Sequence, residues 1–223
     1  MNKSAYLTID DCPTKDFRAK MDYLSSKKIP AVLFCIGKGL EKYSDEVIYA
    51  IKNGFIIGNH SYSHPHFSDI DFEQSKKEIE KTDNIIDKLY YSAGVARPVK
   101  LFRFPYGDKG HADTKRQVQN LLRNLDYKQP SNFSIINSTQ EHSADDTDCY
   151  WTFDTAEWAI YDERCMYGID CSEKVILRMR QNLFNEKNII LFHDHEETTN
   201  IFEEIIEEYI SLGIKFSLPP LNV

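Results

Sequence analysis

Short apolar runs alternate with amphipathic stretches along almost the whole chain. Runs of four to six residues, rich in β-branched or aromatic side chains, predict strands over 5–9, 31–36, 55–58, 101–104, 133–136, 150–153, 188–192 and 215–218. Helical spacing fills the intervals. Thr14 can cap a helix that lines up Phe17, Met21 and Leu24 on one face. Asp71 opens a long helix carrying Phe72, Ile79, Ile86 and Leu89, and Ser172 caps another carrying Val175, Ile176, Met179 and Leu183. Thr199 opens the last, with Gly213 where a left-handed C-cap belongs. The polar stretch 137–149 reads as a loop. Such alternation implies an α/β fold on a parallel sheet. Seven or eight parallel strands predict a (β/α) barrel, and 223 residues is short for a regular one, so a deformed barrel is expected. No internal repeat or composition break divides the chain, which predicts one domain over 1–223.

Composition narrows the function classes. The net charge is -8 and there is no basic stripe, which argues against nucleic acid as a partner. No apolar stretch is long enough to predict a membrane span. Asn2-Lys3-Ser4 leads straight into the first predicted strand without a leader, which points to a cytoplasmic chain or a trimmed exported one. Five cysteines, Cys12, Cys35, Cys149, Cys165 and Cys171, form no C-x-x-C pair. An odd, dispersed set argues against a disulfide framework and fits a reducing compartment. The acidic run Glu203, Glu204, Glu207 and Glu208 reads as a solvated helix face.

The polar residues that carry chemistry fall at the predicted strand ends. Asp10 and Asp11 end the first strand, and His60 and His64 follow the third. Arg103 lies on the fourth with Tyr106 just beyond it, Asp154 follows the sixth, and His193, Asp194 and His195 follow the seventh. In a parallel barrel all strand C-termini open on one face, so these groups converge. His60 and His64, four residues apart, can share a metal; read alone they serve equally well as surface histidines in a polar loop. With Asp11 available, a site of two histidines and one carboxylate is favoured, leaving positions open for water and substrate. Asp10 is then free to act as a base, and an inward-facing Arg103 would hold it ionised.

At this point the chain resembles the polysaccharide deacetylases, the NodB-homology family also called carbohydrate esterase family four. Five motifs occur in order. Thr8-Ile9-Asp10-Asp11-Cys12-Pro13 is similar to T-F-D-D-G-P, His60-Ser61-Tyr62-Ser63-His64 to H-[ST]-x-x-H, and Arg103-Phe104-Pro105-Tyr106-Gly107 to R-x-P-Y-G. Asp154-Thr155-Ala156-Glu157-Trp158 resembles D-x-x-D-W, and Leu191-Phe192-His193 resembles L-x-H. The resemblance implies removal of acetyl groups from N-acetylated or O-acetylated sugars with one divalent metal. Zn is the expected ion, and Co, Ni or Fe could serve. It implies Asp11, His60 and His64 as metal ligands, Asp10 as general base, Arg103 as its orienting partner and the Tyr106 backbone as oxyanion donor. It further implies His193 as general acid with Glu157 as its carboxylate, and Trp158, Leu191, Tyr106 and Pro105 against the substrate. The expected partner is a carbohydrate, with oligomeric state left open. Tyr62, Phe67, Trp151 and Tyr161 are further candidates for stacking on sugar rings.

Two positions depart from the pattern. Cys12 stands for the usual glycine, as a packing residue, a redox-sensitive thiol or a soft ligand. Glu157 stands for aspartate and is one methylene longer. Other readings are a degenerate sugar-binding domain without turnover, a metal amidohydrolase drawing on His64-Pro65-His66 and His193-Asp194-His195, and an Fe(II) oxygenase. The second weakens because such enzymes carry H-x-H on the first strand, where this chain has Asp10-Asp11.

Overall fold

The computed structural model describes residues 3–129, 146–164, 166–182 and 187–220. The predicted strand over 133–136, most of the predicted loop, Cys165 and Leu183 lie outside the described residues. The element order begins β1 (Lys3–Cys12), α1 (Phe17–Ser26), β2 (Ala31–Cys35), α2 (Gly37–Lys42), α3 (Ser44–Lys52), β3 (Ile56–Asn59), α4 (Phe72–Ala93) and α5 (Ala112–Asn124). It continues with β4 (Phe153–Asp154), α6 (Ser172–Asn182), β5 (Lys187–His193), α7 (Thr199–Ser211) and β6 (Ile214–Phe216). The fold is α/β on a parallel sheet ordered β3-β2-β1-β5-β4, with β6 beside the start of β1.

β1 is the central strand. Ala5, Leu7 and Ile9 are buried in the main hydrophobic cluster with helix residues such as Phe17, Met21 and Leu24. Tyr6, Thr8 and Arg103 line the interior of the sheet's curve with Phe34 and Leu101. That alternation is the period-two consequence of an extended backbone. β2 is buried at every position, as expected for a parallel strand covered on both faces.

Six strands form among the described residues, and the difference from the expected number has a local cause. The stretch 101–104 and Lys100 before it contribute bridges only, Asn59 to Phe102 and Lys100 to Tyr127. Pro105 follows directly and brings no N–H with which to continue a ladder. Single hydrogen bonds carry the ring onward: the Cys149 N–H donates to the Phe102 carbonyl at 2.7 Å, and the Thr152 N–H to the Ile189 carbonyl at 2.9 Å. The strand expected over 150–153 shortens to the two residues of β4.

α4 starts on capping chemistry, whereas the starts of α1, α2, α3, α5 and α7 carry no side-chain cap hydrogen bond. Asp71 and Gln74 form a reciprocal capping box, and Gly94 closes α4 in the left-handed region. Thr14 does not cap α1, where Asp16 takes the N-cap position. The Thr14 N–H and hydroxyl instead donate to the Asp194 carboxylate at 2.8 and 3.0 Å. Asp194 is also paired with Lys20 at 2.5 Å, both side chains being almost fully buried. Its N–H donates to the Asp10 carbonyl at 2.9 Å, so this pair ties α1 to the ends of β1 and β5. Removing one partner of a buried pair strands the other charge. Lys20→Ala is therefore expected to lower unfolding free energy by about 3–5 kcal/mol, measured by urea unfolding. The described cysteines are free. No described helix is long and apolar enough to cross a membrane.

Candidate active site

The strand register brings the chemistry together. β1 pairs with β5 so that Asp10 lies opposite His193, and β5 pairs with β4 so that Leu191 lies opposite Asp154. β3 ends at Asn59, whose carbonyl accepts from the Arg103 N–H at 3.1 Å. The ends of five chain segments thus surround an open pocket of about 820 Å³. Its lining includes Asp10, Asp11, His60, His64, Tyr106, Trp151, Asp154, Trp158, Leu191, His193 and His195.

One corner of the pocket gathers Asp11, His60 and His64, with ligand atoms all within 4.8 Å of one another. His60 Nδ1 lies 2.8 Å from the Arg103 carbonyl. A carbonyl only accepts, so Nδ1 carries the proton and Nε2 presents its lone pair to the pocket. His60 Nε2 and His64 Nε2 are 3.3 Å apart, and Asp11 Oδ1 lies 3.5 and 3.0 Å from them. Asp11 Oδ1 is buried and has no hydrogen-bond donor of its own. A buried carboxylate oxygen facing two ring nitrogens is a donor set suited to a divalent cation. Burial pushes the Asp11 carboxyl upward, but the hydrogen bond from His195 and the close imidazoles of His64 and His60 outweigh it, and the carboxyl is held well below its ordinary range. Burial lowers His60 and favours the neutral imidazole that a metal requires.

The turn bearing the two histidines is held from outside. Asn59 donates to the Tyr127 hydroxyl at 2.7 Å and to the Ile79 carbonyl at 2.9 Å, and accepts from the Ser61 N–H at 2.9 Å. Glu78 on α4 accepts from the N–H groups of Tyr62 and Ser63 and from the Ser63 hydroxyl. The start of α2 packs so closely that a Cβ on Gly37 would stand 2.5 Å from the Tyr62 ring. Asp11, Ser61, His64, Tyr106 and Ala156 all have left-handed backbones without being glycine. Such conformations cost about 1–3 kcal/mol each, and they concentrate around this pocket.

Arg103 is fully buried and reaches the second aspartate. Its Nη1 donates to Asp10 Oδ1 at 2.7 Å and to the Thr8 hydroxyl at 2.8 Å. Nη2 and Nε donate to the carbonyls of Tyr150 and Cys149 at 3.0 and 3.3 Å. Asp10 Oδ2 remains on the pocket side, 3.7 Å from His60 Nε2. Across the pocket Glu157, also fully buried, accepts from the His193 N–H at 2.7 Å and lies 2.9 Å from His193 Nδ1 through the same oxygen. Burial works against a charged His193. The Glu157 carboxylate outweighs it, with Asp154 and Asp11 adding to the effect, and the imidazole is raised to about 10. Burial raises Asp154, and the Glu157 charge adds to this.

Leu191 and Trp158 border the pocket, the indole standing nearly perpendicular to the His193 ring at 6.4 Å. Pro105 is buried and is not among the lining residues, whereas its neighbours Tyr106 and Gly107 are. Of the candidate stacking residues, Trp151 lines the pocket, while Phe67 is core. Tyr62 is engaged with Glu41 and Lys81. Cys12 packs in the main core beneath Asp11, its thiol raised by burial. Nothing in the sequence pointed to Glu78 or Asn59 in the site, and His195 stood among the converging strand-end groups without a role in the deacetylase reading. His195 alone carried a signal, as the second histidine of an H-x-H.

At its C-terminal edge the parallel α/β sheet gathers two aspartates, paired histidines and a carboxylate-backed histidine, a set of groups suited to a divalent cation and to acid–base chemistry. Residues 1–130 match the family model described as polysaccharide deacetylase, and the chain belongs to that family. It is 30% identical over 154 residues to the peptidoglycan-N-acetylglucosamine deacetylase of Bacillus cereus, a match covering 68% of this chain and 45% of that protein. The chain thus spans about half the length of that relative. Among solved structures, the Bc1960 peptidoglycan N-acetylglucosamine deacetylase superposes with a TM-score of 0.69 at 23% identity, over 98% of this chain and 87% of that one. BA3943 of Bacillus anthracis, a pseudoenzyme of carbohydrate esterase family four, gives 0.67 at 17%, over 96% and 63%. These two likenesses establish the fold.

Proposed function

We propose that this chain is a metal-dependent carbohydrate deacetylase that hydrolyses acetyl groups from N-acetylated or O-acetylated sugars. The observation that carries the reading is the opposed pair of buried dyads, Asp10 with Arg103 and Glu157 with His193, on either side of the Asp11, His60 and His64 corner. A divalent metal held by those three residues, Zn being the expected ion, would supply Lewis acidity to the attacking water and to the acetyl carbonyl. Asp10, anchored through Oδ1 by Arg103, takes a proton from the water as its oxygen bonds to the carbonyl carbon. The Tyr106 N–H donates to the oxyanion. His193, protonated and backed by Glu157, gives its proton to the leaving nitrogen or oxygen as the bond to the acyl carbon breaks. Acetate and a free amine or hydroxyl result. Trp158 and Leu191 would enclose the acetyl methyl.

The test combines metal analysis with acetate release from chito-oligosaccharides. The purified chain, loaded with Zn, is expected to hold one ion at Asp11, His60 and His64 and to release acetate, with both lost on chelation. No uptake of metal, or metal at His193 and His195 instead, would overturn the site. A chain that binds metal and oligosaccharide but releases no acetate would instead be a sugar-binding domain without turnover; the structurally similar BA3943 of Bacillus anthracis is a pseudoenzyme.

A further inference from the structure

Asp11 presents two unlike oxygens. Oδ1 faces His60 and His64 without a hydrogen bond. Oδ2 lies 2.8 Å from His195 Nε2, on a residue 184 positions away. A carboxylate only accepts, so this imidazole nitrogen is the donor. His195 is not one of the three clustered residues Asp11, His60 and His64, and it meets the carboxylate through the oxygen that does not face the two other histidines.

His195 is not a freely placed surface side chain. Its carbonyl accepts from the buried Lys20 ammonium at 3.1 Å and from the Thr198 hydroxyl at 3.2 Å. Lys20 also holds the neighbouring Asp194 side chain, and the Asp194 N–H bonds to the Asp10 carbonyl. The backbone that bears His195 is thereby locked to the backbone that bears the aspartate pair. The His195 ring stands 5.4 Å from that of His193, on the pocket's rim.

We propose that His195 is a positioning residue for the metal ligand Asp11: it engages Oδ2, fixes the carboxylate's rotation, and leaves Oδ1 as the single oxygen offered to a divalent cation. This rests on the reading that Asp11, His60 and His64 hold the metal. A donor behind a ligating carboxylate orients it and reduces the ordering required when the cation binds. Without that donor the carboxylate is free to rotate or to pair with His64 alone. Outer-shell partners of this kind are worth about 10–100-fold in metal affinity.

The test uses the full chain as wild type, His195→Ala and His195→Gln. Dissociation constants for Zn and Co are measured by chelator competition, with the visible spectrum of the Co form recorded and folding checked by urea unfolding. His195→Ala is expected to weaken both metals about 10–100-fold. His195→Gln, whose amide N–H can reach the same oxygen, should recover most of that loss. The Co bands should keep their intensity class, because the inner ligands are unchanged. Wild-type affinity in His195→Ala would overturn the proposal, as would equal loss in both variants. A loss far beyond 100-fold with a changed Co coordination spectrum would make His195 a direct ligand instead. Should His195→Ala fail to fold, affinity and spectrum of His195→Gln decide: near wild type supports the positioning role, and a large loss overturns it. Absence of metal from the wild type would sink the underlying reading. Metal uptake indifferent to His195 sinks only this inference.

Discussion

Asp10→Asn is expected to lower kcat by about 10²–10⁴-fold while the chain still binds its metal. The substitution is nearly isosteric. Asparagine can still accept from Arg103 through its oxygen, so the buried guanidinium keeps its partner, now uncharged. What is lost is the capacity to take a proton on the side that faces the pocket. Asp10 Oδ2 is 3.7 Å from His60 Nε2, whereas Asp11 Oδ1 sits 3.0 Å from His64 Nε2. In the proposed reading Asp11 is the ligand and Asp10 the base, and that asymmetry supports it. Acetate release and metal content measured on the same preparation check it. Loss of metal in Asp10→Asn, with Asp11→Asn retaining it, would mean that the two roles are exchanged.

The second large effect concerns the proton on His193. Its imidazole is raised to about 10 because the Glu157 carboxylate overcomes the opposing effect of burial. A raised histidine keeps its proton below its folded value and loses it as pH climbs through that value. A cation bound near Asp11 would pull the value downward, so the basic limb of the kcat/KM profile should lie below that of the metal-free imidazole. Glu157→Gln removes the largest favourable contribution and leaves burial opposed only by more distant carboxylates. The basic limb should move to lower pH, with activity retained at lower pH and falling earlier as pH rises. Glu157→Asp keeps the charge and should hold the limb or move it little. His193→Ala should remove the limb with metal content unchanged. The outcome that counts against this assignment is a wild-type pH profile in Glu157→Gln. Asp154, the other carboxylate near His193, would then be the stronger partner.

Much of the fold was legible locally. The continuous apolar runs behind β1, β2, β3 and β5 belong to strands covered on both faces. The capping box at Asp71 and the left-handed glycine at Gly213 follow from single-residue chemistry. Helices α2, α3 and α5 were not legible. The first two are short and meet at Tyr43, and α5 buries only Val118, Gln119 and Leu122 along its length. Such sparse apolar positions carry little periodicity. The stretch 101–104 reads as a strand because Phe102 and Phe104 alternate with Arg103, yet Pro105 follows it and, among the described residues, it keeps only a bridge to Asn59 at the end of β3.

By itself, the sequence determined which chemical groups this protein possesses and that they fall at strand ends. Five ordered motifs and a strand–helix rhythm suffice for that, because both are properties of near neighbours. The tertiary structure decided which group meets which. Asp10 lies opposite His193 only through the β1–β5 register. Arg103 selects Asp10 and not Asp11, Glu157 turns inward to His193 despite its extra methylene, and His195 rather than another histidine stands behind Asp11. These pairings join segments 36 to 184 residues apart. Their partners are set by register, by the direction of each Cα–Cβ bond and by buried groups such as Lys20 and Asn59, and none of these leaves a mark on linear spacing.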